Sequence, residues 1–271
     1  MARGVGIGYR SQFTNTPELL LQHVDFLEYN QRPNLEAVQA DLGPFLGKLP
    51  VVIHSINLSL GSVEPPAEQR VEALKRTADF VNASWVSEHL SYSRVGDIEI
   101  ENFIALPYTD EAIEVASKHI LDLQNFLGRP MIMENVTHHI TWPVKQYSEA
   151  EFIKRVMLSA DCGLLLDVTN LYLNSVVHKY DPIEYLKTIP RDRVVQLHLA
   201  GHTETDGELV DSHVGGIDPK VMELTEWVMD NTSCDAMIIE RDNQLETFND
   251  VLEDVALCRS VYQKYRGAME R

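Results

Sequence analysis

Basic residues are scarce: 23 Lys and Arg face 41 Asp and Glu in 271 residues, a formal net charge of −18. Such a chain repels phosphate backbones and anionic lipid headgroups, which argues against nucleic acid and membrane surfaces as partners unless a cation intervenes. Cysteine is thin as well. Cys162, Cys234 and Cys258 have no CxxC spacing, so neither a disulfide framework nor a thiolate metal site is expected, and a reducing cytoplasm fits best. No segment approaches the ~18 uninterrupted apolar residues of a membrane span, and the opening MARGVGIGYRSQ lacks the apolar stretch of a secretory signal. A GxGxxG phosphate loop is missing, since Gly4, Gly6 and Gly8 lie in and before a strand and not at a strand-to-helix turn. Trp85, Trp142 and Trp227 are too scattered to form a stacking platform for single-stranded nucleic acid.

What the chain does have is an alternation. Short runs rich in Val, Ile and Leu occupy 5–10, 24–30, 51–56, 83–90, 130–136, 162–171, 194–201 and 236–242. Between them lie helical signals: Thr16-Pro17-Glu18 before an apolar run, 68–81, 109–127 closed by Gly128, and 148–159 behind a Ser-x-x-Glu capping box. Asp181-Pro182 and Asp218-Pro219 read as two further helix starts. Near-continuous apolar strands separated by helices imply a parallel sheet covered on both faces, and eight of them predict a TIM (β/α)8 barrel forming one domain over residues 1–271. A doubly wound sheet is the alternative.

Polar residues interrupt these runs toward their carboxyl ends. They are Tyr9-Arg10, Glu28 with Asn30, His54, Glu88-His89, Glu134-Asn135, Asp167 with Asn170, His198, and Glu240-Arg241-Asp242. In a TIM barrel those ends build the active-site face. A buried unpaired carboxylate costs several kcal/mol, so Glu134 in MIMEN, Asp167 in LLLDV and Glu240 in MIIERD each need a cation or strong donors. Few bases are at hand, chiefly Arg10 and Arg241, and convergence with His54, His89 and His198 therefore implies bound metal. Beyond the seventh run, Asp211-x-His213 is a further ligand pair. For His198 alone, a satisfied core histidine is the competing reading.

The segments HSINLSLGS, VSEHLSYS, LPYTDEA, LGRPMIMEN, GLLLDVTNLYLNS, LHLAGHTE and IIERDN together resemble the multinuclear non-haem iron-dependent oxidases, relatives of the methanobactin-forming and 3-thiaglutamate biosynthesis oxidases. That resemblance implies a TIM-barrel enzyme with two or three irons in mixed Fe(II)/Fe(III) states. It also implies O2 as co-substrate, a ribosomally made precursor peptide oxidised at a cysteine, and a partner protein that recognises the peptide leader. By motif, His54, His89 and Glu134 would hold one ion, and Glu134, Asp167, His198 and Glu240 a second. Asn170, Asp211 and His213 would hold a third. Asn170 stands where endonuclease IV relatives have histidine.

Asp242 is a candidate base and Arg241 a candidate to orient a carboxylate, a salt bridge at the barrel mouth being the alternative for both. His202, Asn57, Glu88 and Asn135 are candidates to orient ligands or contact substrate. Two other functions stay open: a divalent-metal hydrolase or isomerase of the endonuclease IV or xylose isomerase type, and a non-catalytic metal-holding scaffold for a partner. His138, His139 and His178 read as solvated loop histidines, with lining of the site entrance as the alternative, and the acidic run 246–254 as the polar face of a last helix.

Overall fold

A computed structural model describes residues 2–32, 34–96, 98–242 and 248–267. Eight parallel strands close a barrel in the order β1-β12-β9-β8-β7-β4-β3-β2. They are β1 (Gly4–Gly8), β2 (Leu27–Asn30), β3 (Val51–Ser55), β4 (Val86–His89), β7 (Met131–Glu134), β8 (Gly163–Asp167), β9 (Val194–Ala200) and β12 (Ala236–Glu240). Two antiparallel hairpins, absent from the sequence-based expectation, are inserted on the carboxyl face: β5 (Ser91–Val95) with β6 (Ile98–Ala105), and β10 (His202–Thr205) with β11 (Glu208–Asp211).

Helices α1 (Pro17–His23), α2 (Leu35–Leu42), α3 (Glu68–Phe80), α4 (Asp110–Leu127), α5 (Glu149–Ala160), α6 (Val168–His178), α7 (Pro182–Thr188), α8 (Pro219–Asn231) and α9 (Phe248–Arg266) lie between and after the strands. Their starts follow capping chemistry. Thr109, Ser148, Asp181 and Asp218 accept from backbone N–H groups of the first turn, while Gly128 ends α4 in the left-handed region at φ 66°.

One boundary departs from expectation. The run 162–171 is not a single strand: Asp167 ends β8 and caps α6, its Oδ1 accepting from Asn170 N at 2.7 Å. The cap turns an apolar run into strand and helix with no connecting loop. His178 is the last residue of α6, not a loop residue. At the far end Glu246 lies outside the described residues, and Asp254 of α9 is buried against Arg241 instead of facing solvent.

Alternation along the strands sorts the core into two layers. Leu27, Ile53, Val86, Met133, Leu166, Leu197 and Ile239 face outward and pack with the helices. Phe26, Val52, Trp85, Ile132, Leu165 and Ile238 form a separate buried cluster that plugs the barrel interior. Each such side chain contributes about 1.5–3 kcal/mol when fully buried. Strand β1 offers glycine at the inward position: a Cβ on Gly6 would lie 2.6 Å from the Phe26 carbonyl oxygen and 2.8 Å from Ile238 Cδ1. Two residues beyond each plug residue, the same parity delivers the next side chain to the carboxyl end of the interior.

Candidate metal centre

The next inward positions are Glu28, His54, Glu134, Asp167 and Glu240, joined by His89 and His198 from the same parity of β4 and β9. They draw together. His54 Nε2 and His89 Nε2 lie 3.5 and 3.3 Å from Glu134 Oε2. On the other side, His198 Nδ1 lies 3.0 Å from Glu134 Oε1 and 3.1 Å from Glu240 Oε2. Among the described residues His54, His89 and Glu134 form one group, and Glu134, Asp167, His198 and Glu240 another, with the donor atoms in each within 4.8 Å of one another. Glu134 belongs to both. Five of these residues, His54, His89, Glu134, Asp167 and Glu240, line a cavity of about 700 Å³ that opens on the carboxyl face; Glu28 and His198 are not part of its wall.

Asn170, Asp211 and His213 line the same cavity but stand apart from those groups. Asp211 ends β11 and is half-buried, with Oδ1 3.1 Å from His213 Nε2. His213 adopts φ 51°, a left-handed backbone that a residue with Cβ rarely takes. Its Nδ1 lies 2.9 Å from Asp242 Oδ2, and its Nε2 3.8 Å from Glu240 Oε2. Asn170 anchors its amide nitrogen on the Asn135 carbonyl at 3.0 Å and leaves Oδ1 without a partner.

Other candidates are placed differently from expectation. Arg241 falls between inward Glu240 and Asp242, so strand alternation points it out of the barrel, where it is buried and paired with Asp254. It orients no carboxylate in the cavity. Asp242 does line the cavity, but Arg10 and His213 hold it: burial opposes ionisation, yet the His213 hydrogen bond and the Arg10 charge keep it below the usual carboxylate range. A carboxylate so held is a weak base and serves to aim His213.

His202 is outside the cavity wall, beside the Tyr172 ring and 3.9 Å from Asp218 Oδ2. Nor do Asn57, Glu88 and Asn135 reach the cavity, so none is placed to contact substrate there. Glu88 instead accepts from the backbone N–H groups of Leu58 at 3.0 Å and His89 at 2.9 Å. Asn135 clamps the backbone of Asp167 with two bonds of 2.9 Å, and the Asn57 carbonyl accepts from Arg70 at 3.0 Å.

Four contributors were not singled out as site residues. Glu28 and Gln196 lie beneath His198, Ser87 Oγ is 2.9 Å from His54 Nδ1, and Phe103 of β6 stacks on His89 at 3.7 Å. The first three share the inward parity of a ligand two residues later or across the barrel, a signal visible in sequence; Phe103 depends on a hairpin that was not. His138 and His139 line the cavity, as the alternative reading expects; His138 Nε2 meets the Tyr108 hydroxyl at 2.8 Å, while His139 is exposed.

The electrostatics show where positive charge is favoured. Burial raises Asp167 well above the usual carboxylate range, and Asp211 and Glu134 add to it. Burial disfavours charge on His198 and His213, yet Glu240 first and then the other carboxylates lift both, His213 to about 12. Burial takes His54 the other way, down to about 3, with His89 and His198 pushing alongside it. Protons thus stand among carboxylates where cations would. Buried Asn170 Oδ1 has no partner, and Glu134 Oε2, Glu28 Oε1 and Asp211 Oδ1 meet only histidine rings at 2.9–3.5 Å without an aligned hydrogen bond; such oxygens call for a donor or an ion. Adjacent ligands on one ion bound at ~2.1 Å stand about 3.0–3.4 Å apart, close to the separations around Glu134. The donor set of imidazole, carboxylate and amide oxygen suits metal ions.

Residues 4–263 match the family of RiPP precursor modification enzymes MbnB/TglH/ChrH. The chain belongs to that family, and so to enzymes acting on ribosomally made precursor peptides. It is 33% identical over 213 residues to a UPF0276 protein of Caulobacter vibrioides, covering 79% of this chain and 76% of that one. A UPF0276 protein of Acaryochloris marina is 32% identical over 257 residues, covering 91% and 90%. Among solved structures, a D-psicose 3-epimerase superposes with TM-score 0.61 at 11% identity, covering 98% of this chain and 100% of that one. A putative xylose isomerase from Rhodospirillum rubrum gives TM-score 0.61 at 12% identity, covering 96% and 99%. These likenesses establish the barrel fold. No helix among the described residues is long and apolar enough to cross a membrane.

Proposed function

We propose that this protein is an iron- and O2-dependent oxidase that modifies a cysteine of a ribosomal precursor peptide. The observation that carries the reading is a single buried carboxylate, Glu134, shared by two ligand groups at the floor of an open cavity, in a chain of a peptide-modifying family. His54, His89 and Glu134 would hold one ion; Glu134, Asp167, His198 and Glu240 a second; Asn170, Asp211 and His213 a third. Bound iron with dioxygen supplies the one-electron chemistry that removes hydrogen from an unactivated C–H bond, which zinc does not supply.

The protein's own groups do the rest. A cavity of about 700 Å³ admits a side chain with its flanking backbone. Phe103 and Ile104 of the first hairpin, Val210 of the second and Ile140 give its wall apolar surface. Arg10 balances the acidic floor, its guanidinium 3.9 Å from Glu240. We further propose that a partner protein supplies leader recognition.

Protein purified without chelator should contain two to three irons per chain and consume O2 when given a Cys-containing precursor peptide. Protein that contains zinc alone and stays active, or that is equally active under argon, sinks the oxidase reading and favours hydrolase or isomerase chemistry. A precursor with serine at the target position should bind and fail to react, because an alcohol stays protonated near neutral pH and is a far poorer metal ligand than a thiolate.

The third group draws Asp211 and His213 from beyond the barrel strands, each about one-fifth exposed, and includes a neutral amide, so its ion should be held most weakly. Asp211→Ala with His213→Ala should lower the metal count by about one and leave the chelated protein folded, with a melting temperature lowered by loss of the His213 ion pairs to Asp211, Glu240 and Asp242. Loss of all metal would overturn this partition.

A further inference from the structure

Below the ligands a polar thread crosses the barrel floor. Trp85 Nε1–H is a donor only, so Gln196 Oε1 must face it, and does at 2.9 Å. That contact fixes which way the amide points. Its nitrogen is turned to Glu28 Oε2 at 2.5 Å and lies 3.1 Å from His198 Nε2. Gln196 therefore offers only hydrogen at this corner. Glu28 Oε1, 2.9 Å from His198 Nε2, makes no hydrogen bond in this structure, where the Gln196 amide donates to that ring nitrogen instead; it is the unpaired oxygen within reach of a proton placed on Nε2 once Nδ1 binds metal. All three side chains, Glu28, Gln196 and His198, are at most 1% exposed, so water does not substitute for any of them.

The opposite edge of the same ring faces the proposed metal: Nδ1 lies between Glu134 and Glu240. A neutral imidazole carries one proton, and a ring that ligates through Nδ1 must keep it on Nε2. We propose that Glu28 is the positioning residue that holds this proton, locking His198 as an Nδ1 ligand, with Trp85 and Gln196 fixing Glu28 in turn.

His54 is set the other way by the same logic. Ser87 Oγ donates to the Ile53 carbonyl at 3.3 Å, so it accepts from His54 Nδ1–H at 2.9 Å, and His54 presents Nε2 to Glu134. His89 likewise turns Nε2 to Glu134. The centre thus joins rings of both tautomers, each set from behind by a different side chain. A carboxylate behind a ligating imidazole also raises its basicity, and loss of such a partner typically costs about 10–100-fold in metal affinity.

This inference rests on the metal reading above, and zinc, being diamagnetic, tests it without turnover. In 15N-histidine-labelled protein loaded with zinc, long-range 1H–15N spectra should show His198 protonated on Nε2 and metal-bound through Nδ1, with His54 the reverse. His198 is assigned by the signals lost in His198→Asn. Glu28→Gln keeps an oxygen acceptor and should preserve that tautomer. Glu28→Leu, of similar volume without an acceptor, should lose or mix the His198 tautomer, leave His54 unchanged, and weaken zinc binding about 10–100-fold. A merely structural Glu28 would not change one ring and spare the other.

Zinc-loaded wild type with the proton of His198 on Nδ1 overturns the assignment, as does Glu28→Leu with wild-type tautomer and affinity. Should Glu28→Leu fail to fold, the wild-type and Glu28→Gln spectra decide alone. If zinc leaves every histidine signal unmoved, the metal reading itself fails; if zinc binds with the ring reversed, only the role of Glu28 does.

Discussion

Glu134→Ala is expected to strip the protein of more metal than any other single substitution, and to abolish peptide modification. The carboxylate sits 3.5 and 3.3 Å from the Nε2 atoms of His54 and His89 through one oxygen, and 3.0 Å from His198 Nδ1 through the other. Removing it takes a ligand from two ions at once. An ion present at ~100 times its dissociation constant stabilises the fold by about 2.7 kcal/mol, so losing two should remove roughly 5 kcal/mol of metal-dependent stability. In chelator the wild type and the variant should melt much closer together, since the metal contribution is then absent from both. Elemental analysis beside thermal melts with and without chelator checks this. Full metal occupancy in Glu134→Ala would show that β7 is not the shared wall of the two groups.

The barrel was legible because parallel strands buried on both faces leave nearly unbroken apolar runs, and because polar residues in such runs collect at one end. The ligand candidates His54, Glu134, Asp167, His198 and Glu240 stood out as breaks in those runs. What misled was adjacency without parity. In Glu240-Arg241-Asp242 the outer two share a direction and the middle one opposes it, so Arg241 lands against Asp254 of α9 while its neighbours reach the cavity. The same rule separates Glu88 from His89 and Asn135 from Glu134.

Glu28 showed the reverse problem. It lies at the correct parity but one layer lower, so as a bare acidic residue it gave no hint of its contact with a histidine 170 positions later. The hairpins were invisible for a different reason. Sequences such as HTETDGELVD pair only with themselves and bury little, so they carry turn chemistry without the apolar run by which the barrel strands were found. The end of β8 was displaced because Asp167 serves both as the last strand residue and as the cap of α6, a double duty that an apolar run does not advertise.

Metal affinity should fall steeply as pH falls, and metal binding near neutral pH should release more than one proton per chain. In the metal-free protein His198 is raised well above its ordinary value, Glu240, Glu28 and Glu134 overcoming the cost of burial. His213 is raised to about 12 by Glu240, Asp211 and Asp242 against burial. Burial, with Asp211 and Glu134, raises Asp167. These groups hold protons where a metal needs lone pairs, so an incoming ion must displace them. His54, lowered to about 3, is already neutral, and Glu240, lowered by His198 and His213 despite burial, is already ionised; neither has a proton to give. The sign follows: below a raised pKa each bound proton competes with metal, and each proton released makes the apparent affinity drop about tenfold per pH unit of acidification. Zinc titrations from about pH 6 to pH 9, with calorimetry in two buffers of different ionisation enthalpy, measure both slope and proton count. Asp211→Ala with His213→Ala should release fewer protons than the wild type, because the His213 proton is gone along with its ligand. A pH-independent affinity with no proton release would mean that the carboxylates of this floor are neutralised by something other than the protons and ions assigned here.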